Sequence, residues 1–179
     1  MGPELSHIEL LSKLDPRALS EVHETHYAKI YRYALHRLNN EQHAEDASSE
    51  VFVRLVEALH AGKGPSKNVT GWLFQTASNV INDFFRREYR QATQPLDPHE
   101  MAEIMRAEAP ASTSLQDPSL RKSLSVLTED QQQVLALRFS ADLSLAETAR
   151  VMNKSVNAIK ALQFRAVSKL RSTLKDEGE

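Results

Sequence analysis

The stretch from Asp142 to Lys175, DLSLAETARVMNKSVNAIKALQFRAVSKLRSTLK, predicts two helices joined by a tight turn. Ser144 stands three residues before Glu147, which is the spacing of a capping box at the start of a helix. An Asn-Lys pair then interrupts the apolar stripe, and Ser155 can cap a second, longer helix. A short helix followed by a longer one with a polar side is typical of a helix-turn-helix that reads duplex DNA.

The end of the chain is also strongly basic. Between positions 150 and 175 no residue is acidic, and the basic residues are Arg150, Lys154, Lys160, Arg165, Lys169, Arg171 and Lys175. On a helix in the major groove, Lys and Arg donate to guanine, Asn pairs with adenine, and Phe can contact a thymine methyl. The side chains on or beside the face opposite the apolar stripe are Asn157, Lys160, Ala161, Phe164 and Arg165. The alternative is a solvated basic face on an ordinary bundle helix.

The composition is that of a folded protein without disulfides. The chain has 179 residues, 41% of them apolar, and no cysteine, so disulfides and thiolate metal sites are excluded, as suits a cytoplasmic protein. No apolar run approaches the ~20 residues of a membrane span, and no signal peptide is visible. The net charge of −2 is an average over unlike halves and does not argue against DNA binding by the basic end.

Helical periodicity predicts an all-α chain with two small domains. In the first half, residues 1–14 are expected to form a frayed or weakly helical arm. Residues 61–69 are expected to form a loop, because they hold two glycines and a proline. The helices expected here cover residues 16–37, 41–60 and 71–90, with Asp15, Asn40 and Thr70 as their caps.

The second half begins after a change in composition. Residues 92–117 hold three prolines and a run of small polar residues, which predicts a flexible linker with a transient helix near 99–108. Asp117-Pro118 repeats the helix-start signal, and Thr128 with Gln131 forms a second capping box, after which a helix is expected to continue past Phe139. The predicted domains are therefore 1–91 and 118–179, joined by the linker 92–117.

Two further features of the first half have ordinary explanations beside functional ones. The acids Glu45, Asp46 and Glu50 open the second helix, where they match the positive helix end, and they could instead be a docking patch for a basic partner. Basic and aromatic residues interleave from Lys63 to Arg90, as suits single-stranded DNA, although aromatics at helical spacing usually belong to a core.

Little in the sequence indicates metal binding or catalysis. His23 and His26 stand three residues apart, but no further ligand cluster accompanies them, so a zinc site is not expected. No phosphate-cradling glycine loop, nucleophile elbow or metalloprotease motif is present. We therefore expect neither a cofactor nor an enzyme.

Four blocks of the sequence resemble bacterial RNA polymerase sigma factors of the extracytoplasmic-function branch. They are HYAKIYRYALHRL (26–38), AEDASSEVFVRLVEAL (44–59), GWLFQTASNVINDFFRR (71–87) and LTEDQQQVLALRF…LSLAETARVMNKSVNAIKALQFRAVSKLR (127–171). The first three correspond to sigma region 2, a bundle of three to four helices, and the last to sigma region 4, a helix-turn-helix. The resemblance implies an initiation factor that directs core polymerase to promoters by their −10 and −35 elements.

The resemblance also implies roles for individual residues. Core polymerase, through its β′ clamp helices and β subunit, would contact Glu45, Asp46, Ser49 and Glu50. The −10 strand, with one base flipped into a pocket, would contact Lys63, Ser66, Lys67, Asn68, Asn79, Arg86, Arg87 and Arg90. The −35 duplex would contact Ser155, Asn157, Lys160, Ala161, Phe164 and Arg165. An anti-sigma factor is a further implied partner, and no membrane insertion is expected.

Three positions depart from the pattern of the family. Relatives often have glutamine where Ser49 stands, arginine where Ser78 stands, and a small residue where Asn157 stands. These departures would weaken one polymerase contact, remove a cation beside the base pocket, and alter sequence preference in the −35 element.

Two other functions are compatible with the residues alone. The chain could be a stand-alone regulator, with residues 118–175 binding DNA and residues 1–90 serving dimerisation or sensing. It could also be a helical adaptor, or an anti-sigma-like binder, whose basic helix never meets DNA.

Overall fold

A computed structural model describes residues 3–93 and 123–176, and these residues form helices and connecting turns without a β-strand. The α-helices are α1 (Pro3–Ser12), α2 (Pro16–Leu38), α3 (Glu41–His60), α4 (Val69–Thr93), α5 (Glu129–Leu135), α6 (Leu145–Met152) and α7 (Val156–Asp176). A π-helix, Ala136–Ser140, follows α5. The predicted linker lies outside the described residues from position 94 onward, as does the predicted domain start at Asp117-Pro118.

The N-terminal arm, predicted to be frayed or weakly helical, forms the helix α1. Leu11 near its end is completely buried. The helix ends in a turn in which Leu14 adopts a φ of 58°. Burial of one leucine is worth about 2 kcal/mol relative to an exposed one, which helps to hold so short a helix in place.

The caps of α2 and α3 are those that the sequence predicts. The Asp15 carboxylate accepts hydrogen bonds from the N–H groups of Arg17 and Ala18, and Asn40 Oδ1 accepts one from His43. Between the two helices Asn39 adopts the left-handed conformation, with φ 51° and ψ 33°. Asparagine tolerates this conformation better than most residues, so α2 and α3 can be joined by only two residues.

The cap of α4 differs from the prediction. Asn68, rather than Thr70, caps this helix, because Asn68 Oδ1 accepts a hydrogen bond from Gly71 N at 3.0 Å. The helix begins at Val69, so Thr70 lies inside its first turn. A β-carbon at Gly71 would come within 2.6 Å of the Asn68 side chain, so glycine at this position leaves room for the cap.

Helices α2, α3 and α4 enclose the core of the N-terminal half. Tyr33 and Phe74 are its largest completely buried aromatics, and their rings meet edge to face with centroids 5.8 Å apart. The periodic apolar positions of α3 and α4 are buried as expected, at Ala44, Ala47, Val51, Leu55, Leu59, Leu73, Ala77, Val80 and Ile81. Trp72 is partly buried against this core, and Phe84 is half-buried beside His43.

The C-terminal half contains the predicted helix-turn-helix. Both capping boxes form, Thr128 with Gln131 and Ser144 with Glu147, and Ser155 Oγ accepts from Ala158 N at 3.1 Å. Asn153 makes the turn between α6 and α7 in the left-handed conformation. A second hydrophobic cluster holds these helices together, with Leu127, Val134, Leu135, Ala149, Ile159 and Ala166 as its buried members.

The segment after α5 differs from the regular helix that the sequence predicts. Residues 136–140 form a π-helix, in which the N–H of Ala141 donates to the carbonyl of Ala136. Phe139 is 64% exposed, although it looks like a core position in the sequence. The added residue of a π-turn rotates the side chains that follow it, so Phe139 turns outward. Leu137, which the sequence also predicts as an apolar position, and Leu143 are buried.

The two halves pack against each other. Ala136, Leu137, Ala141, Leu143 and Val151 of the C-terminal half join the hydrophobic cluster that contains the N-terminal core. The interface therefore has an apolar centre, formed by the π-helix and α6 on one side and by α2 and α4 on the other.

Candidate polymerase and nucleic-acid interfaces

The acidic patch predicted on α3 lies on the surface. Glu45, Asp46 and Ser49 are exposed, and Asp46 accepts a hydrogen bond from Gln42 one turn earlier. Glu50 is half-buried and pairs with Arg54 Nε at 2.9 Å. Of the four residues predicted for this patch, Glu50 therefore already forms an ion pair within α3. The other three are exposed to solvent.

An aromatic cluster that the sequence did not predict lies on α2 and α3. His23, Tyr27 and Tyr31 follow each other along α2, with ring centroids 4.9 and 6.4 Å apart, and Phe52 of α3 packs against the first two. Burial, together with the carboxylates of Glu41 and Glu45, raises the pKa of Tyr31. The i, i+4 spacing of the three α2 rings is the signal that could have revealed this surface.

The loop between α3 and α4 presents its polar residues outward. Lys63, Ser66 and Lys67 are exposed, Asn68 is half-buried, and Pro65 is buried beneath them. Gly62 has a φ of 67°, which favours glycine, and Gly64 lies so close to Leu59 that an added β-carbon would collide with that side chain. The loop is thus held at its base while its cations remain accessible.

A cavity of about 390 Å³ lies beside this loop, between α1, α2 and the start of α4. Lys67 and Asn68 line it together with His26, whose Nε2 lies 2.9 Å from Thr70 Oγ1. Burial lowers the pKa of His26, which favours the neutral ring. Asn79, which the resemblance placed with the loop, is exposed on α4 and is not among the residues that line this cavity.

The C-terminal end of α4 carries the predicted arginines. Arg86, Arg87 and Arg90 are all exposed, and Arg86 pairs with Asp83 at 3.4 Å. A groove of about 530 Å³ runs along this end of the helix. Its lining, here called the arginine–aromatic groove, consists of Asn82, Phe85, Arg86, Tyr89, Arg90 and Glu129. Glu129, which belongs to α5, was not predicted at this site.

The predicted DNA-reading face of α7 is exposed along its length. Ser155, Asn157, Lys160, Ala161 and Arg165 are accessible, and Phe164 is 73% exposed. The apolar side of the helix turns inward, with Ile159 and Ala166 completely buried. All six predicted residues are therefore accessible to solvent, and Lys160 and Phe164 line the same cavity.

The groove beside this face has a mixed character. Leu145 and Val167 line a cavity of about 290 Å³ together with Lys160, Phe164 and Arg171. The Arg165 guanidinium donates to the backbone carbonyl of Ala161, one turn earlier on the same helix. Lysine and arginine are thus interleaved with an exposed aromatic ring, which is compatible with contacts both to phosphates and to a thymine methyl.

Comparison with known proteins identifies the family. Residues 22–91 match the family model of Sigma-70 region 2, and residues 123–172 match that of Sigma-70, region 4. The chain is 32% identical over 162 residues to the ECF RNA polymerase sigma factor BldN of Streptomyces coelicolor, and this match covers 89% of the chain and 61% of BldN. This chain belongs to the ECF RNA polymerase sigma factors. The BldN match therefore spans about three fifths of that relative's length.

Other relatives agree with this family assignment. The sigma factor is 26% identical over 156 residues to the ECF RNA polymerase sigma factor SigX of Bacillus subtilis, covering 84% of this chain and 80% of SigX. Its fold is similar to that of the sigma factor RpoE of Bartonella quintana, solved in complex with the anti-sigma factor NepR, with a TM-score of 0.66. That likeness covers 87% of this chain and 96% of RpoE at 19% identity, and it concerns the fold alone.

The described part of this sigma factor offers neither a metal site nor a membrane-spanning helix. Residues 3–93 and 123–176 contain no group of three or more His, Asp or Glu side chains that could hold a metal ion. Within the same residues, no helix has both the length and the apolar character that crossing a membrane requires.

Proposed function

We propose that this sigma factor binds core RNA polymerase and directs it to specific promoters by contacts to their −10 and −35 elements. The observation that carries the proposal is the presence of both regions, 2 and 4, in one chain. In addition, most of the residues proposed for each of the three surfaces are exposed here, with Glu50 and Asn68 half-buried. The domains proposed are 1–91 for polymerase docking and the −10 element, 92–117 as linker, and 118–179 for the −35 element.

Core polymerase would dock on α3. Glu45, Asp46 and Ser49 offer carboxylates and a hydroxyl to solvent, and Glu50 is tied to Arg54. Such an acidic surface suits a basic helical partner, here the β′ clamp helices, with the β subunit as a further contact. Electrostatic complementarity of this kind mainly increases association rate and specificity.

Capture of the −10 strand would use the loop before α4 and the outer side of that helix. Lys63, Ser66 and Lys67 are exposed on the loop, and Asn68 lies at its end. Further along α4, Asn79, Arg86, Arg87 and Arg90 are exposed as well. Cations that follow the backbone, with aromatic rings beside them, are the usual means of holding a single strand. Extruding a base from the duplex costs a few kcal/mol, which the polymerase complex must help to supply.

Reading of the −35 element would use α7. The helix begins with Ser155 as its cap, and its exposed side chains Asn157, Lys160, Ala161, Phe164 and Arg165 can enter the major groove. This half positions the promoter, while opening of the DNA depends on the other half together with polymerase. Linking two modest contacts raises their combined affinity through effective concentration.

A regulatory partner and a cellular location also belong to the proposed function. An anti-sigma factor is proposed as a regulator, supported by the solved complex of RpoE with NepR and by its similar fold. The sigma factor would act in the cytoplasm, where the polymerase is, and would contribute no catalytic group of its own.

In vitro transcription with core polymerase tests the proposal. The expected result is a set of promoter-specific transcripts from genomic fragments that core polymerase alone does not transcribe. Tight promoter binding without polymerase, and no gain in transcripts with it, would instead support a stand-alone regulator. A protein that binds neither polymerase nor DNA would be an adaptor.

A further inference from the structure

Polar contacts fix how the C-terminal half sits on the N-terminal half. Gln133 of α5 donates to Ser78 Oγ at 2.9 Å and to the hydroxyl of Tyr33 at 3.4 Å. Arg32 Nε donates to the carbonyl of Ser140 at 3.0 Å. Ser78 and Tyr33 are 6% and 1% exposed, so the Gln133 contacts lie inside the interface. The arrangement of the two halves is therefore specified by hydrogen bonds as well as by the shared apolar cluster.

This arrangement carries an acidic side chain into the arginine–aromatic groove. Glu129 stands at the first position of α5, and its carboxylate lies 3.5 Å from the guanidinium of Arg37. The Arg37 side chain is only 4% exposed, and its guanidinium lies 5.9 Å from the ring centroid of Phe85. The carboxylate thus lies on the Phe85 side of the groove, and the Glu129 side chain is 71% exposed.

The rest of the groove has the chemistry of a site for a single strand. Arg86 and Arg90 can meet phosphates, and Phe85 and Tyr89 are 37% and 73% exposed, so their rings are accessible for stacking. Glu129 is the one acidic residue among the groove-lining residues that the structure describes. A carboxylate beside such a site repels a phosphate, while its own ion pair is with Arg37.

We propose that the packed arrangement of the two halves is a self-blocked state, in which Glu129 occupies the mouth of the arginine–aromatic groove and excludes the DNA strand. Separation of the halves withdraws Glu129 together with α5 and opens the groove. The inference rests on the proposed function, because it takes the end of α4 to be a strand-binding site. It adds that the C-terminal half competes with the DNA for that site.

A neighbouring residue provides a matched control. Asp130 follows Glu129 in the first turn of α5, so both acids stabilise the helix start in the same way. Asp130, however, pairs with Lys154 at 3.1 Å and does not line the groove. Glu129→Gln and Asp130→Asn therefore remove the same charge from the same helical turn, but only the first removes it from the groove.

The experiment measures binding of a fluorescent 12-nucleotide single-stranded DNA to the free 179-residue protein by anisotropy at low salt. Glu129→Gln is expected to tighten binding at least about threefold more than Asp130→Asn. A double variant, Arg32→Ala with Gln133→Ala, is expected to tighten binding as well, because it weakens the interface without touching the groove. Equal affinities for Glu129→Gln and Asp130→Asn would overturn the proposal.

A distance measurement reports the arrangement directly. Because the chain has no cysteine, Ser49→Cys and Ser172→Cys can each carry one spin label, and both positions are exposed. A single narrow distance is expected in the free protein, with a broader and longer distribution in the Arg32/Gln133 double variant. A broad distribution in the otherwise unaltered protein would also overturn the proposal.

Arg86→Ala separates failure of this inference from failure of the proposed function. If this variant binds the oligonucleotide as well as the unaltered protein does, the end of α4 is not a strand site, and that part of the proposed function fails. If Arg86→Ala weakens binding while Glu129→Gln and Asp130→Asn behave alike, the strand site stands and only the self-blocked state is wrong.

Discussion

Ser140 Oγ lies 3.2 Å from Nδ1 of His36, joining the π-helix to α2 across 104 positions of sequence. The other ring nitrogen of His36, Nε2, is buried and has no hydrogen-bond partner among the described residues. Burial and the neighbouring charge of Arg37 lower the pKa of His36 from its ordinary value of 6.5. The packed arrangement of the two halves therefore favours the neutral form of the His36 imidazole.

We expect the free energy of unfolding to fall in mild acid. Since the pKa values of both His36 and His26 are lowered in the folded state, the unfolded chain binds more protons once the pH drops below about 6.5. Stability is thus fully present above that pH and decreases below it until the folded-state pKa values are passed. Urea unfolding between pH 8 and pH 5.5 measures this change. The double variant His26→Gln/His36→Gln should show a smaller pH dependence than His60→Gln, and equal slopes would contradict the assignment.

Charge reversal on α3 is expected to impair polymerase binding. Asp46→Arg places a cation in the exposed acidic patch, where a basic partner would be repelled, and we expect at least a tenfold loss of affinity for core polymerase. Glu57→Arg is a suitable control, because it makes the same change at an exposed position three turns along the same helix. Binding of the −35 duplex by the C-terminal half should not change. Unaltered polymerase affinity in Asp46→Arg would mean that these acids are only a solvated helix start.

The capping role of Asn68 and its proposed −10 role can be separated by substitution. Aspartate can cap α4 as well as asparagine does, since either side chain accepts the hydrogen bond of Gly71 N–H. Asn68→Asp should therefore keep the unfolding midpoint but reduce −10-dependent transcription, because it adds a negative charge beside Lys67. Asn68→Ala should lose both, with a stability cost of about 1 kcal/mol. Full transcription by Asn68→Asp would leave Asn68 with the structural role alone.

Removal of Lys160 is expected to weaken −35-dependent transcription. The residue is exposed on the outer face of α7, and loss of a base or phosphate contact costs about 1–3 kcal/mol, or roughly 5- to 150-fold in affinity. Lys175→Ala, at the far end of the same helix, is the control with the same change in charge. The affinity for core polymerase should be the same for the unaltered protein, Lys160→Ala and Lys175→Ala. A parallel loss of polymerase binding in Lys160→Ala would mean that the substitution acts on the fold.

Local signals predict much of this fold because they act over a few residues. The capping pairs Thr128–Gln131 and Ser144–Glu147 form as the sequence indicates, and the core face of α3 follows its apolar period. The cap of α4 is assigned to the wrong residue because Asn68 and Thr70 are both good caps, and the choice depends on where the loop ends. Once α4 starts earlier, the Thr70 hydroxyl is available to His26.

The long-range contacts could not be predicted in this way. Gln133 meets Ser78 across 55 positions, and no periodicity in either helix marks them as partners. Burial of Ser78 beside Gln133 also gives this position a structural use, whereas the resemblance to the family implied only a missing cation there. The position of Glu129 in the arginine–aromatic groove depends on the same packing of the two halves. From the sequence alone, Glu129 is only an acidic residue at a helix start, and the groove cannot be predicted.

The shared hydrophobic cluster has a consequence for handling the protein. If the halves separate for transcription, the buried side chains of Leu137 and Leu143 become exposed to water. The apolar surface of α2 and α4 that they cover is exposed at the same time. Two such surfaces on one chain can also pair between molecules, which is the geometry of domain-swapped dimers. Ala136 and Ala141 contribute little apolar surface to this interface, because their side chains are small. Concentrated stocks of variants that open the interface should therefore be the ones that self-associate.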